Sequence, residues 1–339
     1  MHYRKLGKSN LKVSALCLGA MMFGDQTGRV EAANILAYGR ANGVNFVDTA
    51  DVYTKGASEE MLGALLQGQR NDWVIASKLG NKMSERVNES LYSRVWMVRA
   101  LEDSLRRLRT GHIDIYYLHL DHAGLNLEEP LRALADMVRD GKIRYWGLSN
   151  FRGWRIAETV RVAEQLGLPA PVVCQPYYNL LNRMPEVEIL PACHHYGIGV
   201  ASYSPIARGV LTGKYAPGAP AAAGTRAGRA DKRIMETEFR PESLAIAQTL
   251  AAHAQSRGVT LAQFATAWVL ANRILSAVIA GPRTLAQWQD YFPALDYAVN
   301  ADDEALVDAL VGSGHPSSPG YTDPAYPLNG RLPLSGPAP

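Results

Sequence analysis

Cysteine is scarce in this sequence: three residues in 339, at Cys17, Cys174 and Cys193. They are too few for a disulfide framework and none forms a Cys-x-x-Cys pair, which excludes a stapled scaffold, a zinc ribbon and a thioredoxin-like centre. No apolar run approaches the roughly 18 residues of a membrane span, and the opening "MHYRKLGKSN" has no signal-peptide core. Excess charge is missing too. A formal net charge of +3 gives no footprint for nucleic acid or a lipid surface. The expectation is a cytoplasmic protein with no membrane and no nucleic-acid partner.

Nucleotide-binding fingerprints are absent as well. "GIGVAS" at 197–202 lacks the third glycine of a Rossmann turn and leads into a strand instead of following one. "GVLTGKY" from Gly209 is one residue short of a Walker loop and has no Ser or Thr after its lysine. Its backbone amides still suit a nucleotide phosphate. Cys193, His194 and His195 are consecutive, and neighbours on a helix point about 100° apart, so no metal is expected there.

What is present is a rhythm. Eight short β-branched or aromatic runs recur: "VSALCLG", "VNFVDTA", "WVIASKLG", "IDIYYLHL", "IRYWGLSN", "PVVCQPYYN", "IGVASYSP" and "LSAVIAGPR". Stretches with apolar residues at i, i+3 and i+4 separate them, among them "VEAANILAYGRANG", "SRVWMVRALEDSLRRL" and "LEEPLRALADMVRDGK". Ser58 reads as a helix N-cap, and Gly43, Gly141 and Gly167 as C-terminal stops. Strands alternating with helices imply a parallel sheet, and eight repeats imply a closed (β/α)8 barrel, an α/β fold of the TIM type, forming a single domain over 1–339. "YRKLGKSNLKVSAL" predicts an N-terminal β-hairpin plugging the barrel floor. The Pro/Ala/Gly-rich stretch 216–233 reads as a long mobile loop, and the tail 313–339 as an extended, partly irregular segment.

Chemistry in such a barrel sits at the carboxyl ends of the strands. Those ends read Asp48, Lys78, His119, Ser149 with Asn150, Gln175, Tyr203 with Ser204, and Arg283. Each alone is an ordinary polar strand end; together they converge on one mouth. "FVDTADVY" adds Tyr53 five residues after Asp48. A tyrosine, pKa near 10, is a poor acid at neutral pH, but a neighbouring ammonium lowers that pKa and a carboxylate holds the ammonium in place. Tyr53, Lys78 and Asp48 suit that relay, with His119 orienting a carbonyl oxygen. A carbonyl protonated in this way needs a hydride donor. Tyr203 offers a face to a nicotinamide ring, and Ser149, Asn150 and Gln175 offer partners to its amide. His122 is placed near the mouth, and Trp96, Trp146 and Trp154 are read as packing residues.

The chain resembles the aldo-keto reductases over almost its whole length, through "DTADVYTKGASEEMLG", "IASKLG", "DIYYLHL", "GKIRYWGLSNF", "ASYSPIARGVLTGKY" and "GPRTLAQWQD". Its detailed similarity is to the bacterial and potassium-channel β-subunit-like branches more than to the steroid reductases. The resemblance implies a catalytic tetrad of Asp48, Tyr53, Lys78 and His119. It implies NADPH/NADP+ lying across the mouth against Gly19, Met21, Asp48, Ser149, Asn150, Gln175 and Tyr203. The pyrophosphate would lie under the segment from Ser204 through Gly209, with Pro205 and Ala207, and under Lys214; the 2′-phosphate would lie near Arg283 and Thr284, and Arg226 and Gly281 would also contact the cofactor. Gln287 and Asp290 would flank the adenine. The partner implied is a small-molecule carbonyl substrate, with the C-terminal segment as one wall of its pocket; a homo-oligomer is left open. Two positions depart from the family: Thr54 stands where Gly is usual, which narrows the pocket on this reading, and Asp290–Tyr291 replace Glu-Asn beside the adenine.

Three functions follow from these residues: NADPH-dependent reduction of aldehydes or ketones, an NADPH-binding regulatory subunit with little turnover, and a Schiff-base aldolase using Lys78.

Overall fold

The computed structural model describes residues 1–122 and 124–327. A two-stranded antiparallel hairpin, β1 (Tyr3–Lys5) and β2 (Lys12–Ser14), precedes eight parallel strands closed into a barrel. These are β3 (Leu16–Gly19), β4 (Phe46–Asp48), β5 (Val74–Leu79), β6 (Ile113–Leu118), β7 (Ile143–Ser149), β8 (Val173–Gln175), β9 (Gly199–Tyr203) and β10 (Leu275–Ala280), with β10 hydrogen-bonded to both β9 and β3. The first expected strand is divided in the structure. Its first two residues, Val13 and Ser14, serve the hairpin, and the barrel strand begins only at Leu16.

Helices α1 (Arg29–Ala41), α2 (Ala57–Leu65), α3 (Arg94–Leu108), α4 (Glu128–Arg139), α5 (Gly153–Gln165) and α6 (Ile189–Tyr196) alternate with the strands. After β9 come α7 (Lys232–Glu236), α8 (Pro241–Ser256) and α9 (Leu261–Ala271); α10 (Leu285–Asp290) and α11 (Ala301–Leu310) follow β10. Ser93 caps α3 by accepting from the Trp96 amide, as Ser and Thr side chains do at helix starts. Ser58 does not cap α2: Gly56 holds that position, and the Ser58 hydroxyl lies buried, donating to Ala20 O at 2.8 Å and meeting Thr49 Oγ1 at 2.7 Å. It ties the helix to the barrel rim instead. Gly43, Gly141 and Gly167 take left-handed φ just past their helices. Trp96 and Trp146 are core residues, but Trp154 is 62% exposed, so packing is not its role.

Strand side chains alternate between two cores, as the pleat requires. Residues such as Leu16, Val47, Ile75, Tyr116 and Leu118 face the helices. Cys17, Phe46, Ala76, Ile115, Tyr117, Val173, Ala201, Ala277 and Ile279 fill the barrel, joined by Leu6 and Val13 of the hairpin. Gly147 belongs to this inner face: a Cβ there would meet Val173 O at 2.6 Å and the Tyr117 ring at 2.8 Å, so only glycine leaves room for that ring. The hairpin is fastened to the floor by Arg4, which donates to Leu270 O and Leu275 O at 2.9 Å, and by Ser276 Oγ donating to Lys5 O. Continuing the same period of two upward, the inner face passes from apolar to polar at Asp48, Lys78, Ser149, Gln175 and Tyr203. Sheet pleat alone brings them to one mouth.

Of residues 216–233, expected as a long loop, 216–230 run as turns over that mouth, with Arg229 donating to Gln26 Oε1 at 2.9 Å, but Lys232 and Arg233 already belong to α7. The tail has no helix or strand from 311 to 327 but is tied down along its length; 328–339 lie outside the described residues. Among the described residues no helix is long and apolar enough to cross a membrane.

Candidate functional site

The mouth opens into a cavity of about 430 Å³. Asp48, Tyr53 and His119 line it, while Lys78 is fully buried just beneath. The Lys78 ammonium pairs with Asp48 Oδ1, donates to Thr49 O at 2.8 Å and reaches the Tyr53 hydroxyl at 3.3 Å. Asp48 Oδ2 accepts from Gln175 Nε2 at 2.8 Å. A buried cation with three oxygen partners, one of them ionised, keeps its proton, and the Lys78 pKa lies above its ordinary value; although burial alone would lower it, Asp48 prevails. With two donors on its carboxylate, Asp48 stays ionised against a burial effect that pushes its own pKa up.

Tyr53 follows a different balance from the one the sequence suggests. Burial raises its pKa and wins over the opposing pull of Lys78. The hydroxyl is therefore loaded with its proton at neutral pH, and the ammonium acts on the phenolate that forms when the proton leaves. His119 packs edge-on against the Tyr53 ring at 5.9 Å, and burial, then Lys78, drives its pKa well below the usual value. A neutral imidazole can orient an oxygen but is not the acid. Its Nδ1 is buried without a partner among the described residues.

Asn150 ties the opposite rim together. With φ of 60° it donates to His119 O at 2.9 Å and to Ser149 Oγ at 3.0 Å, and accepts from the Tyr203 hydroxyl at 2.8 Å. Tyr203 is stacked on Tyr177, ring centres 5.5 Å apart, and the Arg208 guanidinium lies 5.0 Å from the Tyr177 centre on an ion pair with Glu238, which also receives the Tyr177 hydroxyl.

The other residues expected around a cofactor are brought to the same cavity. Gly19, Met21, Ser149, Asn150, Gln175, Tyr203, Ser204, Pro205, Gly209, Lys214, Arg226, Gly281, Arg283, Gln287 and Asp290 all line it. Ala207 is not on the wall; it is fully buried below the turn it shares with Arg208 and Gly209. Gly209, at φ of 100°, lets that turn pass 3.0 Å from Lys214 Nζ where a Cβ would stand. Asp290 accepts from Gln263 Nε2 at 2.7 Å, and buried Tyr291 lines the cavity beside it. Thr54 does not narrow the cavity. It is exposed, off the wall, in left-handed backbone at φ of 49°, where a family glycine would be unstrained. His122 is also off the wall, contacting Gly80 O at 3.2 Å. Burial and the like charges of Arg283, Arg226 and Arg229 lower the Lys214 pKa; Lys214, Arg226 and Arg283 share the cavity wall, with Arg229 outside it.

Comparison with known chains bears on the family. The profile of the Aldo/keto reductase family matches residues 15–311. The chain belongs to that family. Three relatives show how evenly the likeness runs. A "Probable voltage-gated potassium channel subunit beta" of Arabidopsis thaliana is 38% identical over 303 residues, covering 87% of this chain and 92% of its own. Its counterpart in Oryza sativa subsp. japonica is 38% identical, covering 92% and 97%. An "Uncharacterized oxidoreductase YrpG" of Bacillus subtilis is 34% identical, covering 96% and 99%. Family membership supports oxidoreduction with a nicotinamide cofactor and a small-molecule carbonyl compound.

Among the wall residues, Met22, Asp231 and Arg233 were not legible in the sequence. Near Tyr53 the structure adds Asp51. It is buried, neither carboxyl oxygen has a partner among the described residues, and burial together with Glu59 pushes its pKa up to about 8. Its place in "DTADVY" was visible; its isolation was not.

Proposed function

We propose that this protein is an NADPH-dependent carbonyl reductase that converts aldehydes or ketones to alcohols with Tyr53 as proton donor. The observation that carries this reading is one ammonium, that of Lys78, touching both the Asp48 carboxylate and the Tyr53 hydroxyl on a wall shared with neutral His119.

The residues present fit a nicotinamide dinucleotide phosphate. The Tyr203 face, backed by Tyr177, suits a flat ring, and Ser149 and Gln175 flank it. At the other end Lys214, Arg226 and Arg283 repel one another, a cost that a phosphate would relieve. When bound, the reduced cofactor supplies the hydride. The chain supplies the rest. Tyr53 and His119 orient the carbonyl oxygen between two hydrogen bonds; Tyr53 gives that oxygen its proton, and Lys78 stabilises the phenolate left behind. Asp48 and Thr49 hold Lys78 in place, and Gln175 holds Asp48.

A Schiff base on Lys78 has no support: its nitrogen already has three partners and a raised pKa, so it offers no free amine. The plant relatives, named as probable voltage-gated potassium channel β subunits, favour one second reading, in which this protein is a regulatory subunit; on that reading it would bind NADPH with little turnover. Loss of NADPH absorbance with a panel of aromatic and aliphatic aldehydes decides between them. Reduction is expected. NADPH bound in solution but consumed with no member of the panel would hand the protein to the second reading.

A further inference from the structure

The tail beyond α11 is fastened in two unequal stretches. In the first, Ser317 Oγ meets Ser243 Oγ at 2.8 Å, Ser318 Oγ accepts from Arg240 Nε at 2.8 Å, and Tyr321 donates to Glu236 O at 2.9 Å beneath the Arg240 guanidinium. The second stretch, 323–327, carries Tyr326 to the cavity wall. Among the described residues two arginines hold it. Arg152, before α5, donates to Tyr326 O at 2.6 Å. Arg233, in α7, grips Asp323 with both guanidinium nitrogens, at 3.0 and 2.7 Å. Asp323 Oδ1 also accepts the Ala325 amide at 2.9 Å, the turn that sets the direction of Tyr326.

The Tyr326 hydroxyl lies in the electrostatic reach of Tyr203, Tyr53 and Arg233, so its ring borders the region where the carbonyl compound would sit. A bidentate arginine–carboxylate pair fixes orientation as well as distance. With Asp323 11% exposed, this pair is partly shielded from solvent, unlike an ordinary surface bridge. The first stretch keeps the tail attached whether or not the pair forms. What the pair decides is where the last turn, and hence one aromatic ring, stands.

We propose that Arg233 and Asp323 are positioning residues whose ion pair sets Tyr326 as a fixed aromatic wall, selecting aromatic over small aliphatic carbonyl compounds. The proposal rests on the carbonyl-reductase reading and adds a substrate class to it. A ring held in one orientation offers an offset or edge-on partner to a planar substrate; a ring free to swing offers that contact only part of the time. A small aliphatic substrate fills too little of the pocket to sense the difference.

The test uses the full chain with NADPH, benzaldehyde and propanal. Asp323→Asn, which weakens the pair from the side that does not line the cavity, should raise KM for benzaldehyde about tenfold, on the scale of one pocket contact, and leave KM for propanal and the NADPH Kd within about twofold. Arg233→Lys, which keeps the charge without the fork, should fall between. Adding Asp323→Asn to Tyr326→Ala should change nothing further, since the carboxylate acts through that ring. A parallel rise in both KM values, or a double variant worse than Tyr326→Ala alone, overturns the proposal. Backbone hydrogen exchange at 325 and 326 in substrate-free protein gives a readout independent of turnover. It should quicken in Asp323→Asn. If the wild type reduces neither aldehyde yet exchange quickens, the carbonyl reading fails while the latch stands; unchanged exchange sinks the latch whatever the kinetics.

Discussion

Lys78 sits 3.3 Å from the Tyr53 hydroxyl and 4.8 Å from the centre of the same ring. One buried cation therefore faces both the oxygen that would lose a proton and the π-system over which the resulting charge spreads. Asp48 and Thr49 hold the ammonium on the other side, so no reorganisation is needed as the charge develops.

Tyr53→Phe should lower kcat by about 10²- to 10⁴-fold, the usual range for losing a general acid, while NADPH affinity stays nearly unchanged because the hydroxyl matters in the transition state. Rapid-mixing kinetics that isolate the chemical step provide the check. A variant keeping more than half of the wild-type rate would falsify the assignment.

Asp51 gives a pH signature in stability. The folded carboxyl keeps its proton up to about pH 8, whereas in the unfolded chain it ionises near the model-peptide value of about 3.9. As pH climbs between those two values the unfolded state releases a proton that the fold retains, so stability present at low pH is progressively lost. The slope is about 1.4 kcal/mol per pH unit for one group. Asp51→Asn removes this dependence. Unfolding free energies from denaturant titrations should therefore shift in favour of the variant by about 2–4 kcal/mol between pH 5 and pH 8. A gap that stays constant over that range would mean that the carboxyl is ionised in the fold.

Arg283 is held loosely, through a 3.4 Å contact from its guanidinium to Gln26 at the exposed rim. It is free to take a phosphate with both nitrogens. Arg283→Ala should weaken NADPH binding about 10- to 100-fold, the scale of a charge-assisted bond, and NADH by less than about twofold. Titration of both cofactors by fluorescence quenching measures this; equal losses would show that Arg283 does not read the 2′-phosphate.

The strand ends were legible because two periodicities coincide. A barrel strand must alternate, and a polar residue at the end of an apolar alternation, such as Lys78 after Val74 and Ala76, can only surface at the mouth. α9 was not legible for the opposite reason. Nine of its 11 residues are buried, so it carries no polar face and no 3.6-residue stripe to recognise. Arg208 and Glu238 are 30 positions apart in sequence, and nothing local marks them as partners. Ser58 misled because serine before an acidic pair is a good cap; here tertiary contact with Ala20 and Thr49 outweighs that preference. The balance at Tyr53 was unreadable since burial has no sequence symbol.

The hairpin under the barrel has a consequence for traffic. Leu6 and Val13 stop the lower end, and nine side chains fill the shaft above them. The site is thus a blind well: no file of water can rise from beneath to the ammonium or the phenol. On the carbonyl-reductase reading, whatever restores a proton to Tyr53 after each turnover must descend through the same opening by which the alcohol leaves. Product exit and proton recharge compete for one doorway, and neither can be hastened by loosening the base.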